Sequence, residues 1–315
     1  MSCIVPMDIT LMRTFLEVAA SGSFVHSADK LFVTQSAVSL RIRRLEEQLG
    51  HALFTRSKAG AELTPEGEAF SAYALSLVKI WEEARQQIGV PEGFTKAITI
   101  GAEHSLWSRC GFRWIDEMQA RTPSLSIRAE LGTPDRLTRF LIEGVIQAAL
   151  TYLPQIRPGI RVEKLFEEDL VLVAGWPEPD LTVMDDRYVM VDWGPEFVQA
   201  HAIDLPDLRS GKTLALGALA TDFVVGRGLA AYLPARTAAP YLDAGQLHLV
   251  PDAPIFPYAI WLVWREDMDD EIKQCARAAL TKVVAGAVSV QEDVIEELEQ
   301  ASDDEIEILG QLDEQ

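Results

Sequence analysis

Between residues 34 and 43 the chain gathers side chains that can hydrogen-bond to the edges of base pairs. Val38, Ile42, Leu45 and Leu49 recur at helical spacing and claim one face for a core, which leaves Gln35, Ser39 and Arg43 on the other with Ser36 beside them and Thr34 as the cap. Glutamine pairs bidentately with adenine, serine is permissive, and arginine suits guanine or a phosphate. The free N–H groups of a helix start favour a phosphate as well. Arg41, Arg44, Arg56 and Lys58 are better placed as clamps on the sugar-phosphate backbone, the last two from a following hairpin. A helix with several arginines also looks like any solvated face, so the setting has to decide.

Other chemistry has weaker support. There is no GxSxG elbow, HExxH pair or GxxxxGK[ST] phosphate loop, and His26, His51, His104, His201 and His248 are scattered without ligand spacing. Cys3, Cys110 and Cys275 form no CxxC, which speaks for buried free thiols rather than a disulfide scaffold or a metal site. The paired acids Glu167-Glu168 and Asp185-Asp186 read as solvated loops. Gly226-Arg227-Gly228-Leu229-Ala230-Ala231 fits a GxGxxA dinucleotide fingerprint. The helix it would open meets Pro234 within two turns, however, and its strand lies late in the chain, so a glycine-permitted strand-to-helix turn is expected instead. No catalytic residue, metal or cofactor is expected.

The 315 residues leave room for two domains, and 48% hydrophobic with 24% charged content is that of a soluble globular protein. No apolar run reaches membrane-spanning length and no secretory start is evident, so the cytoplasm is the expected location. The net charge of −20 is unevenly spread. Up to Val90 there are 9 basic and 10 acidic residues, against 19 and 38 in the remainder, and the last 25 residues hold 11 carboxylates with no Lys or Arg. Between Lys30 and Lys58 six basic residues face only Glu46 and Glu47. A basic island on an acidic protein is where nucleic acid should be sought.

Around the island, periodicity predicts three helices, through Leu11/Phe15/Val18, Phe24/Ala28/Leu31 and the segment opened by Thr34, closed at Gly22 and Gly50. Residues 53–55 and 61–63 read as a hairpin, or wing. Thr64-Pro65-Glu66 opens a long helix to about Gly89. In it Phe70, Ala74, Leu77, Trp81, Ala84 and Ile88 alternate by four and three, a seam for a second copy or for packing on its own domain. Beyond the breaker at residues 89–93, strand-like runs at 97–101, 126–131, 148–152, 170–174, 188–191, 213–216, 223–225 and 258–264 alternate with helices, which predicts a mostly parallel sheet. The boundaries are drawn at 7–64, 65–90, 94–290 and an acidic tail, 291–315.

Phe15 to Ala19, Gly22-Ser23-Phe24, Thr34 to Ser39, Leu45-Glu46, Leu49-Gly50, Leu53 to Arg56 and Leu63 to Gly67, in register over about eighty residues, resemble the DNA-binding domain of LysR-type transcriptional regulators. Ser36 stands where many members carry proline. Leu40 stands where relatives often carry arginine or another polar residue, which removes one DNA contact. Ile98 to Ala102, Gly144 to Leu150 and Gly226 to Pro234 resemble the family's effector domain, and Ser105-Leu106-Trp107, Trp193 to Phe197 and Tyr258 to Leu262 are similar to its HdfR-like subgroup.

The resemblance implies an all-α winged helix-turn-helix and long linker helix, followed by an α/β two-lobed, periplasmic-binding-protein-like effector domain. It implies a start at Met7-Asp8, a homodimer or homotetramer on double-stranded DNA, a small-molecule effector between the lobes, and RNA polymerase as a candidate partner. Crossing strands are expected near 163–170 and 253–258. Ligands of such sheets sit beyond strand ends, which nominates Glu103, His104, Ser105, Trp107, Thr133 and Thr151 in the first lobe and Asp192, Trp193 and Phe223 in the second. Ser105 suits an anionic effector and Glu103 a cationic or polar one. Two rivals remain: an enzyme with an accessory DNA-binding module, and an α/β domain that acts through partner contacts.

Overall fold

The computed structural model describes residues 8–57, 60–184 and 187–312. No helix among them is long and apolar enough to cross a membrane. The first unit comprises α1 (Ile9–Ser21), α2 (Phe24–Lys30) and α3 (Gln35–Leu49). Each begins on a side-chain cap, since Asp8, Ser23 and Thr34 accept from the backbone N–H of Thr10, His26 and Ala37. α1 and α3 end on left-handed Gly22 and Gly50. Phe15, Val18, Val38, Ile42 and Leu45 meet in the core.

The wing is an antiparallel pair, β1 (Phe54–Ser57) and β2 (Gly60–Leu63). α4 (Pro65–Ile88) follows, capped by Thr64 on the Gly67 N–H. A Cβ at Gly67 would lie 2.2 Å from the Leu53 carbonyl oxygen, so only glycine lets this helix start so close to the wing.

The second unit opens with β3 (Lys96–Ala102), α5 (His104–Leu106), a π-helical turn at Trp107–Gly111, α6 (Phe112–Arg121), β4 (Leu125–Leu131), α7 (Pro134–Ile142) and β5 (Ala148–Thr151). These make the first lobe. The long β6 (Ile160–Ala174) crosses to a second lobe of β7 (Met190–Val191), α8 (Pro195–Asp204), β8 (Thr213–Leu214), α9 (Ala220–Val224), β9 (Ala230–Pro234), α10 (Ala235–Asp243) and β10 (His248–Leu249). β11 (Phe256–Arg265) crosses back, and α11 (Asp270–Leu312) ends the described chain.

The main sheet runs β4-β3-β5-β11-β6-β10, with β9 beside the far end of β6. It is mixed rather than mostly parallel. β3 pairs parallel with β4 and β5, but β6 and β11 run antiparallel to each other and to every other neighbour they have in this sheet. The reason is topological: the chain crosses between lobes twice, in opposite directions.

Local expectations fail in several places. Glu167-Glu168, expected in a solvated loop, lie within strand β6 with Glu168 buried, and Leu49 at the end of α3 is exposed instead of joining the core stripe. Residues 223–224 close helix α9 instead of forming a strand. Residues 230–234, expected as a short helix, are the fully buried strand β9, because pairing with β6 from Leu170 to Ala174 overrides the local glycine pattern.

α11 packs on both lobes. Ala276, Ala279, Leu280, Val283 and Ala287 join the first lobe's core, and the Trp114 indole donates to the Ala276 carbonyl (2.9 Å). Val294 and Leu298 join the second lobe's core. The boundary drawn at residue 291 thus falls inside this helix, and only residues 313–315 of the acidic segment lie outside the described chain.

Gly67→Ala should lower the unfolding midpoint of the N-terminal unit, overpacking of this kind costing about 1–3 kcal/mol. An unchanged melt in calorimetry would show that the wing and α4 are not locked at this point.

Candidate DNA-reading surface and interlobe cleft

The first turn of α3 is open to solvent. Gln35, Ser36, Arg43 and Arg44 are exposed and Ser39 is half-buried. The Thr34 hydroxyl is engaged twice, as the cap of Ala37 and with the Ser36 hydroxyl at 2.9 Å. Arg41 is half-buried, and its guanidinium donates to the Thr14 hydroxyl (3.3 Å), which ties it to α1. Arg56 pairs through its backbone with Ala61 in the wing, and Lys58 lies outside the described residues. Two apolar side chains at this end of the unit were not assigned a role from sequence: Phe32, 96% exposed, and Leu40, 56% exposed.

The six spaced residues of α4 divide. Phe70, Ala74 and Leu77 pack on the helix-turn-helix core, the Phe70 ring lying 5.2 Å from that of Phe15. Trp81, Ala84 and Ile88 face solvent, and Tyr73 and Ile80 extend that exposed apolar strip.

Polar contacts join α4 and the first unit to the first lobe. Glu82 is fully buried beneath Arg13 and Arg85. Arg139 of α7 meets Glu17 of α1 at 2.5 Å, and Arg265 donates to Glu83 at 2.6 Å. The Gln86 amide donates to the carbonyls of Gly144 (3.1 Å) and Val145 (2.9 Å) and accepts from Gln147 (2.6 Å). Apart from Glu82 and Arg85, three residues apart on α4, none of these pairs was visible as a pattern in sequence, because the partners come from distant segments.

At the crossing of β6 and β11, Tyr258 stands opposite Glu168 in register. The Tyr258 ring stacks on Tyr152 (centroids 4.2 Å apart) and meets Trp193 edge-on at 5.6 Å. Tyr152 donates its hydroxyl to Glu168 (3.0 Å), whose other oxygen pairs with buried Arg236. Burial first, then the charge of Glu168, holds the Tyr152 hydroxyl far above its ordinary pKa.

Glu103 accepts from the Thr151 hydroxyl (2.6 Å) and the Tyr152 N–H (2.8 Å), yet burial outweighs these bonds and raises its carboxyl above the ordinary value of 4.5. The lobes meet here: a Cβ on left-handed Gly217 would lie 3.6 Å from Ser105 Oγ and 3.8 Å from Trp193 Cζ3.

The structure therefore gathers Glu103, Ser105, Thr151 and Trp193 of the nominated cleft residues. It adds Tyr152, Glu168, Arg236, Gly217 and Tyr258, which sequence reasoning missed. Asp192 is exposed, accepts the Gly194 N–H, and raises Tyr258 together with Glu103 and Glu168 after the larger effect of burial. Trp107 belongs to the first lobe's core, His104 is exposed, and exposed Thr133 follows the outermost strand. Phe223 lies on helix α9 under the Arg227 guanidinium instead of at a strand end. The described residues contain no group of three or more His, Cys, Asp or Glu able to hold a metal ion.

Two family models match the chain: "Bacterial regulatory helix-turn-helix protein, lysR family" over residues 9–68 and "LysR substrate binding domain" over residues 91–283. The HTH-type transcriptional regulator HdfR of Yersinia pestis (strain Pestoides F) is 29% identical over 276 residues, 84% of this chain and 93% of its own. Among solved structures, a full-length OxyR variant from Pseudomonas aeruginosa aligns with TM-score 0.53 at 19% identity, over 88% of this chain and 98% of its own. Vibrio fischeri DarR, solved in complex with DNA, aligns with TM-score 0.53 at 21% identity, over 88% and 99%. Both likenesses concern the fold.

Because the pKa of Glu103 is raised on folding, its contribution is complete below pH 4.5 and is lost as pH rises through the folded-state value. Glu103→Gln keeps the acceptor and removes the charge, so the variant should melt no lower than wild type at neutral pH. The gap between the two melting points should shrink on acidification; a gap independent of pH would contradict the burial of a charged carboxylate here.

Proposed function

The chain belongs to the LysR family of bacterial transcriptional regulators, and we propose that it reads a specific duplex sequence with the first turn of α3, as a homodimer joined along α4, under control of a small molecule bound between its lobes. The observation that carries the proposal is the open start of α3. Gln35, Ser36 and Ser39 lie there with exposed Arg43 and Arg44 close behind, on an otherwise acidic protein. In a helix-turn-helix this helix enters the major groove N-terminus first, side-chain amides and hydroxyls meet base edges, and flanking cations neutralise phosphates.

Dimerisation is assigned to the exposed strip Tyr73, Ile80, Trp81, Ala84 and Ile88, since the first half of the helix already has a partner in its own unit. A two-fold pair presents two recognition helices to two half-sites. The DNA-reading unit is assigned to residues 7–64, the linker to 65–90, and the sensor to 94 onward. α11 remains part of the sensor through Leu298, which is buried in the second lobe. Tetramers and contact with RNA polymerase rest on the family pattern alone. A role on the chromosome places the protein in the cytoplasm.

The effector reading rests on the crossing. Glu103, Glu168 and Asp192 surround the Tyr258 ring, and aromatic side chains from both lobes meet there. A ligand that separated Ser105 from Gly217 would shift the lobes and, through the contacts along α4, the DNA-reading unit.

Genome-wide pull-down with purified protein tests the reading. Wild type should enrich a small set of two-fold sites, and Gln35→Ala or Ser39→Ala should cost about 1–3 kcal/mol of base discrimination. Enrichment no better than background, at moderate salt and with cell extract supplying ligands, would defeat the proposal. Trp81→Glu with Ile88→Glu should convert dimer to monomer in sedimentation; a dimer that survives both places the interface elsewhere.

A further inference from the structure

The turn ahead of α3 breaks a local rule. Residues 28–33 close α2 with two backbone bonds, Phe32 N–H to the Asp29 carbonyl (3.2 Å) and Val33 N–H to the Ala28 carbonyl (3.0 Å). In this pattern the residue after the cap turns left-handed, a place taken as a rule by glycine or asparagine. Here it is Phe32, at φ +53°. A Cβ in that conformation is disfavoured, and bulky residues there are outliers. Burial does not compensate, since the residue is 96% exposed. Strain kept without any return in packing points to a contact made only in a complex.

A second apolar side chain shares this end of the helix. Leu40 is 56% exposed, one turn beyond Ser36 and three and four residues before Arg43 and Arg44, whereas Val38, Ile42 and Leu45 of the same helix are buried. Along the chain, Phe32 and Leu40 thus bracket Gln35 and Ser36. The apolar feature of the major groove is the C5-methyl group of thymine, and the hydrocarbon of a side chain packed on it distinguishes thymine from the other bases without a hydrogen bond. The two arginines supply the charge that holds this surface against the duplex.

We propose that Phe32 and Leu40 form an apolar pair that packs on thymine methyl groups on either side of the base step met by Gln35 and Ser36. The inference rests on the DNA-reading role assigned above. It makes Leu40 a specificity determinant rather than a lost arginine contact, and it gives the strained turn a purpose.

The test uses the full chain and a duplex selected by it from a random library. Each thymine is replaced in turn by deoxyuridine, which lacks only the methyl group, and affinities are measured for wild type, Phe32→Gly and Leu40→Ala. Wild type should weaken about fourfold at one or more thymines, the worth of one buried methyl group. That sensitivity should vanish in at least one variant.

Phe32→Gly should also melt at a higher temperature while binding DNA more weakly, because glycine adopts positive φ freely. A role confined to the folded monomer cannot produce that combination. A selective wild type that is indifferent to deoxyuridine, or variants that keep its full sensitivity, would overturn this inference and leave the DNA-reading role intact. A wild type that selects no sequence would overturn both.

Discussion

Two strands carry the chain between the lobes, and they pair over ten residues, from Phe256 opposite Leu170 to Arg265 opposite Ile160. The ladder carries one register shift, between Ile260 and Trp261, and on either side of it sets each side chain against a defined cross-strand neighbour. This fixes Glu168 beside Tyr258. From there the remaining contacts follow: Tyr152 stacks on Tyr258 and donates to Glu168, Arg236 closes on the same carboxylate, and Trp193 comes in from the second lobe. The ring cluster is thus built at the crossing, with rings from both lobes.

α4 joins this sensor to the DNA-reading unit, and it does so with charge. Glu83 of α4 pairs with buried Arg265 and Lys79 of α4 with Asp267, both on the sensor side, and Glu17 of α1 accepts Arg139 from the first lobe. Buried ion pairs contribute little net stability, because desolvation offsets most of the attraction, but breaking one leaves a stranded charge. Such contacts therefore favour one orientation of the units over many near-equivalent ones. The apolar half of the interface is local to the N-terminal unit, where Phe70, Ala74 and Leu77 sit.

What could be read from sequence was set by short-range rules. Asp8 aside, the caps at Ser23 and Thr34, the terminators Gly22 and Gly50, the wing and three members of the stripe Val38/Ile42/Leu45/Leu49 depend on residues within a few positions of one another and stand as expected; Leu49, at the end of the helix, is exposed. What failed was decided at a distance. Residues 230–234 look locally like the start of a helix and become a strand only because β6 runs beside them. The heptad of α4 shows that a face is apolar without saying what covers it, and one half turned out to be covered internally. Of the cleft residues nominated from strand ends, Glu103, Ser105, Thr151 and Trp193 lie together where the lobes meet. Tyr258 and Glu168, which lie beside them, sit within strands at the crossing, where a rule about strand ends does not reach. Phe32 gave no signal at all, since its interest lies in a backbone angle.

α11 runs for 43 residues, about 65 Å at the usual rise of a helix, and is anchored in both lobes by separate apolar clusters. A rod fastened to two bodies on either side of a hinge removes degrees of freedom from it. Twisting of one lobe against the other must bend the rod or lift one set of anchors, whereas rocking about an axis through both attachments leaves it straight. Mechanically, the two lobes are closer to a door on two hinges than to two beads on a string, because the rod leaves few relative motions open to them.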